Sequence, residues 1–245
     1  MSRYLVMPSP AQLGTQIVTS DLVLNLDAAN SASYSGTENT WTDLSNNSNT
    51  GTLINTPTYE TNNSRVFYFD GTNERIDVAD ANTLDFSGNF TIEMWFNATT
   101  IPSSAQNPGG LIVKRVSDDA GTGTWGIQVQ NSVVSFWKLQ ATVTSASIGT
   151  ITTNTWYHIV VTRSGSTIKG YLNTVEGFSI TDSTNYTNAF PLVIGMWGTT
   201  LPNWAGSPFG PFNGRIAAVR VYKNKAFSAA EVTQNFNAIR GRFGL

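Results

Sequence analysis

With 245 residues, 40% apolar and only 12% charged, the chain can bury a substantial core and is too apolar to be disordered. A formal net charge of −2 provides no basic field for nucleic acid or anionic lipid, and the absence of cysteine excludes disulfides and thiolate metal sites. Thr, Ser, Asn and Gly supply most of the polar surface, a composition suited to strands and turns and to an assembly in which many surfaces end up covered.

The first twenty residues, MSRYLVMPSPAQLGTQIVTS, carry two prolines and no clean alternation, so residues 1–20 read as an extended arm. The apolar run Tyr4, Leu5, Val6 and Met7 ends at Pro8, too short for a secretory signal, and no stretch approaches a membrane span. This implies synthesis in a cytoplasm. The same four residues are poorly suited to bare solvent and are expected to pack on the chain's own core or on a neighbouring subunit.

From residue 21 onward strand signals recur. In DLVLNLDAAN, Leu22, Leu24 and Leu26 point one way and Val23 and Asn25 the other, the period of two of a half-buried strand. RVFYFDG, ERIDVAD, NFTIEMWFNA, GLIVKRV, WGIQVQ, SVVSFWKLQ, TWYHIVVTR, TIKGYLN, PLVIGMW and GRIAAVRVYKN read similarly, with Gly, Asn, Asp, Ser or Pro in most gaps. Trp95, Trp137 and Trp156 fall in these strands and are expected in the core. TWYHIVVTR followed by TIKGYLN predicts a hairpin turning at Ser164–Gly165. Near the end, Ser228 and Glu231 have capping-box spacing, Val232, Phe236 and Ile239 share one helical stripe, and Gly241 supplies the expected left-handed stop. Many strands and one short helix indicate antiparallel sheets packed as a sandwich, with residues 21–245 as one domain.

LVLNLDAANSASYSGTENTWTDLSNNSNTGTL, VFYFDGTNERIDV, FTIEMWF, TWYHIVVTRSGSTIKGYLN and GRIAAVRVYKNKAFSAAEVTQNFNAIRGRFG together resemble, in order, the laminin-G-like (concanavalin A-like) domains of bacteriophage virion structural proteins. The resemblance implies an all-β jelly-roll sandwich of two antiparallel sheets with one short C-terminal helix. The family's usual Y-x-N-G turn is here Tyr171-Leu172-Asn173-Thr174, so a different turn conformation is expected. The stretch from Met196 to Gly214 is longer and more aromatic than the usual connection.

Glycosidases also use this fold, and the glucanase branch places carboxylates at alternating positions of one strand, the spacing that lets two acids flank one bond. No such pair occurs within any predicted strand; Glu93 stands alone. The single histidine, His158, shares a strand face with Trp156 and Val160 between bulky apolar neighbours, which favours a structural residue over a triad base. No G-x-S-x-G elbow is present. Calcium is a weak possibility that the resemblance raises, with Asp27 and Asp70 as candidate ligands, although both read as ordinary turn residues.

The function expected is therefore a non-enzymatic virion structural protein without a cofactor. It would be a capsid decoration, head fibre or tail-associated surface module that docks to other virion proteins as a homo-oligomer or in many copies. Its location would be the virion surface, after synthesis in the host cytoplasm. The alternative is a lectin-like module for host surface glycans, since Trp197, Trp204, Phe209 and Phe212 crowd one Gly- and Pro-rich loop that can present aromatic faces to sugars. These four residues and Tyr4 to Met7 are the candidate contacts.

Overall fold

The structure, a computed structural model, describes residues 16–62, 64–103, 107–115, 123–139, 143–198 and 210–245. Tyr4, Leu5, Val6, Met7, Trp204 and Phe209 lie outside them. The described residues form two eight-stranded antiparallel sheets. Strands are numbered in chain order. Sheet A runs β14 (Val175–Thr181), β13 (Thr167–Leu172), β12 (Trp156–Ser164), β7 (Phe90–Ala98), β16 (Asn213–Lys223), β5 (Val66–Asp70), β4 (Thr58–Glu60), with β1 (Leu22–Asp27) also paired to β16. Sheet B runs β11 (Val143–Thr150), β10 (Val133–Leu139), β9 (Thr124–Gln130), β8 (Gly109–Lys114), β15 (Leu192–Ile194), β6 (Arg75–Val78), β3 (Gly51–Ile54), β2 (Thr40–Trp41). This is the all-β sandwich expected from the strand pattern.

Alternation decides what faces the interior. Phe90, Ile92, Met94 and Phe96 of β7, Ile159 and Val161 of β12, and Val219 and Val221 of β16 meet Ile112, Ile127, Val129 and Phe136 of sheet B in one core. Every residue of β7 is nevertheless buried, because its outer face is covered as well. The cover is helix α1 (Ala229–Ile239), a following 3-10 turn (Arg240–Phe243) and the segment around Val18. Within residues 16–20, assigned to the arm by sequence, Val18 packs against the sandwich, buried with Tyr222, Phe227 and Val232.

The helix starts as its sequence dictates. The Ser228 side chain accepts from the Glu231 N–H and the Glu231 carboxylate accepts from the Ser228 N–H, both parts of the capping box. Ser228→Ala is expected to cost about 1 kcal/mol in urea unfolding. The stop differs from expectation. Arg240 stays right-handed, the chain tightens into the 3-10 turn, and Gly244 takes the left-handed position at φ 73° instead of Gly241. The extra turn brings Phe243 back to stack on Trp95 and Trp156 at centroid distances of 4.7 and 4.2 Å.

Two hairpins show similar local logic. Ser164 pairs with Thr167, so the β12–β13 turn is Gly165–Ser166, one residue later than expected, with Gly165 at φ 58°. In the β13–β14 turn Asn173 takes φ 56°, the left-handed role that Asn tolerates.

Candidate functional site

The outer face of sheet A holds the charged side chains that strand periodicity forces away from the core. Its centre is a sealed network. Glu93 Oε1 accepts from His158 Nε2 at 3.0 Å and Arg220 Nη1 at 3.2 Å, while Oε2 accepts from Asn235 Nδ2 at 2.6 Å. Arg220 continues to Asn25 Oδ1 at 3.1 Å and Asp27 Oδ2 at 3.2 Å. Asn235, on α1, also accepts from the Val18 N–H at 2.7 Å. Burial alone would raise the Glu93 carboxyl, but Arg220, then the His158 hydrogen bond, hold it down at about 2. His158 stacks on Trp95 at 4.9 Å. Glu93 and His158 are wholly buried beneath the helix, out of reach of a polymeric substrate, and the structural reading of His158 holds.

The two aspartates considered for calcium are engaged otherwise. Asp27 Oδ1 accepts from the Ala29 N–H at 3.0 Å and from Arg242 Nη1 at 2.8 Å. Asp70 Oδ1 accepts from the Thr72 N–H at 2.7 Å, closing an Asx turn. Among the described residues no group of three or more His, Asp or Glu is placed to hold a metal ion.

Beyond the end of the helical cover the same face opens into a pocket of ≈ 330 Å³ lined by Asn62, Ser64, Asn97, Asn154, Trp156 and Arg215. Register builds its floor: Trp156 of β12 pairs with Asn97 of β7, which pairs with Arg215 of β16. Arg215 is held by Glu60 through Nε–Oε2 at 2.7 Å and Nη2–Oε1 at 3.1 Å, and it lies 5.1 Å over the Tyr68 ring. Trp156 is only partly buried, one face against Phe243; the expectation that it belongs to the core is corrected, because it stands at the outer end of the stack that continues through Trp95. Asn154 and Ser64 hold left-handed backbone at φ 57° and 68°. The Ser64 carbonyl accepts from Arg242 Nε at 2.7 Å, so the C-terminal turn clamps the pocket's lip.

One residue of this lining has an incomplete hydrogen-bond set. Asn97 is 6% exposed and its Oδ1 has no hydrogen-bond partner. One other buried side-chain oxygen among the described residues shares this condition, Asn213 Oδ1, but that amide is anchored through Nδ2 to the Asp70 carbonyl at 2.8 Å. A buried acceptor without a donor costs about 1–3 kcal/mol and is rarely kept without a role.

The residues singled out by sequence fall elsewhere. Trp197 is buried, its ring edge-on to Trp137 at 5.2 Å and 5.3 Å from the Arg115 guanidinium. Phe212 is wholly inside the core, near Phe69 and Phe96. These two therefore pack within the fold and present no exposed face. Asn97, Trp156 and Arg215 were missed because they come from three strands far apart in sequence. The available signal was Trp156 on the outward face of TWYHIVVT, opposite the core-facing Tyr157.

A family model described as the concanavalin A-like lectin/glucanases superfamily matches residues 70–233, so the chain belongs to that superfamily. Among solved structures it is similar to domain 4 of AbnA, an extracellular arabinanase from Geobacillus stearothermophilus in complex with arabinotriose. That likeness has 19% identity and a TM-score of 0.67, over 88% of this chain and 98% of that one. It is also similar to the binding domain of botulinum neurotoxin serotype D, at 14% identity and TM-score 0.65, over 89% of this chain and 52% of that one. A third is Trypanosoma rangeli sialidase in complex with sialic acid, at 16% identity and TM-score 0.67, over 96% of this chain and 36% of that one. The chain thus spans about half or less of the neurotoxin and sialidase chains. A comparison with curated protein sequences finds no match.

Proposed function

We propose that the domain is a non-enzymatic carbohydrate-recognition module whose site is the pocket over Asn97. The observation that carries this reading is Asn97, which lines a polar cavity beside a partly exposed indole and keeps a buried Oδ1 without a hydrogen-bond partner. Sugar hydroxyls are donors that can complete such an acceptor, the amides of Asn62 and Asn154 can fix further hydroxyls, and Trp156 offers apolar surface to a ring edge or face. The arabinotriose-bound arabinanase domain, matched over 98% of its length, supports the choice of ligand class.

Asn97→Ala is expected to weaken glycan binding about tenfold, the worth of one buried hydrogen bond, while leaving stability unchanged or slightly raised. An array of bacterial and plant polysaccharides followed by calorimetry on the hits measures the first, and urea unfolding the second. Silence across the array, or unchanged affinity in both Asn97→Ala and Trp156→Ala, rejects the site.

The setting in which this module works is a second proposal, the surface of a phage virion, supported by the resemblance of the ending KAFSAAEVTQNFNAIRGRFG to virion proteins. Tyr4 to Met7 and the loop bearing Trp204 and Phe209 are then the docking segments. Finding the chain in stoichiometric copy number in a purified particle supports it; its absence from any particle rejects it.

A further inference from the structure

We infer that the Asn97 pocket selects uncharged saccharide units and excludes acidic sugars such as sialic and uronic acids; this rests on the carbohydrate reading above. The argument is one of charge. The only cation lining the pocket among the described residues, Arg215, is bound by both oxygens of Glu60, at 2.7 and 3.1 Å, so its charge is cancelled by a neighbour and its fork is occupied. Its remaining nitrogen, Nη1, lies 3.4 Å from Thr99 Oγ1.

The other lining groups are three amides, a hydroxyl and an indole. Two of them add to the exclusion of anions. The Ser64 hydroxyl donates its proton to the Arg242 carbonyl at 2.8 Å, leaving only lone pairs for a ligand. The unpartnered Asn97 Oδ1 is an acceptor, which a donor such as a hydroxyl can complete and a carboxylate cannot. A carboxylate entering here would have to displace Glu60 from Arg215 or settle for neutral amide N–H donors with no uncancelled cation beside it. A hydroxyl meets no such obstacle. The volume of ≈ 330 Å³ sits at the small end of ligand pockets, which fits one or two sugar units, not a long chain.

The test titrates the intact chain with neutral arabino-, gluco- and galacto-oligosaccharides, and with sialyllactose and trigalacturonate as acidic probes. Neutral probes are expected to bind with little dependence on salt, and acidic ones at least about tenfold more weakly. Glu60→Gln leaves Arg215 with an uncancelled charge, so acidic probes are expected to gain about tenfold while neutral ones stay within about twofold. Preferred binding of sialyllactose or trigalacturonate by the unaltered protein overturns this inference but leaves carbohydrate recognition standing. Failure of every probe removes the reading on which it rests. Should Glu60→Gln not fold, the salt dependence and the neutral-to-acidic ratio of the unaltered protein decide alone.

Discussion

Arg220→Met is expected to destabilise the domain by about 3–5 kcal/mol at neutral pH, because it strips the counter-charge from a carboxylate that has no water to turn to. Glu93 is wholly buried under α1, and Arg220 also reaches Asp27. The same variant carries a pH signature. The Glu93 carboxyl lies at about 2 in the folded protein against an ordinary 4.5. A folded value below the unfolded one means stabilisation that is complete above about 4.5 and is lost as pH falls toward about 2. The gap between the unaltered protein and Arg220→Met should therefore be widest at neutral pH and narrow progressively through that acid window. Urea unfolding at a series of pH values reads both effects. A variant as stable as its parent at neutral pH would mean that the pair contributes nothing net.

Lys114→Met is the second large effect, also about 3–5 kcal/mol. Lys114 is fully buried, and its Nζ lies 2.8 Å from Asp80 Oδ1, 2.7 Å from Asp85 Oδ1 and 2.7 Å from the Asn188 carbonyl. One ammonium is the hub that joins the 80–85 connection to the 188 loop at an end of the sandwich. Methionine matches the stem in length but leaves two carboxylates facing each other without a cation. Because the nest is made of oxygens, millimolar calcium is expected to recover part of the lost stability in Lys114→Ala, where the tip of the space is vacated, and none in Lys114→Met. Thermal unfolding with calcium or chelator measures this, and equal melting in both solutions for Lys114→Ala refutes the cation role.

Much of the architecture was readable because strand alternation is a local property. Phe90, Ile92, Met94 and Phe96 face one way in NFTIEMWFNA whatever they pack against, and His158 was placed on the correct face with Trp156. The strands that escaped notice lacked that signal. β11 reads VTSASIGT, and β14, VEGFSIT, is exposed along most of its length. β2, β3 and β4 are only 2, 4 and 3 residues long. The site was less legible for a different reason. Asn97 at a strand end looks like turn chemistry until register sets it between Trp156 and Arg215, and no local pattern encodes that register. Aromatic density in the 196–214 loop drew attention instead, yet Trp197 and Phe212 are spent on filling the interior.

The two ends of the described chain also meet: the Val18 amide donates to Asn235, β1 lies along β16, and both ends close over Glu93. The order of synthesis gives this closure a kinetic meaning. While a ribosome is still extending the chain, β7 and β12 are already made but β16 and α1 are not, so sheet A lacks its central neighbour and the Glu93 carboxylate stays in water. Such pairings between distant segments close slowly and late. An unfinished chain exposes the apolar faces of β7 and β12 with unpaired edges, a period of vulnerability to aggregation. Refolding should accordingly be limited by the docking of β16 and α1 onto β7.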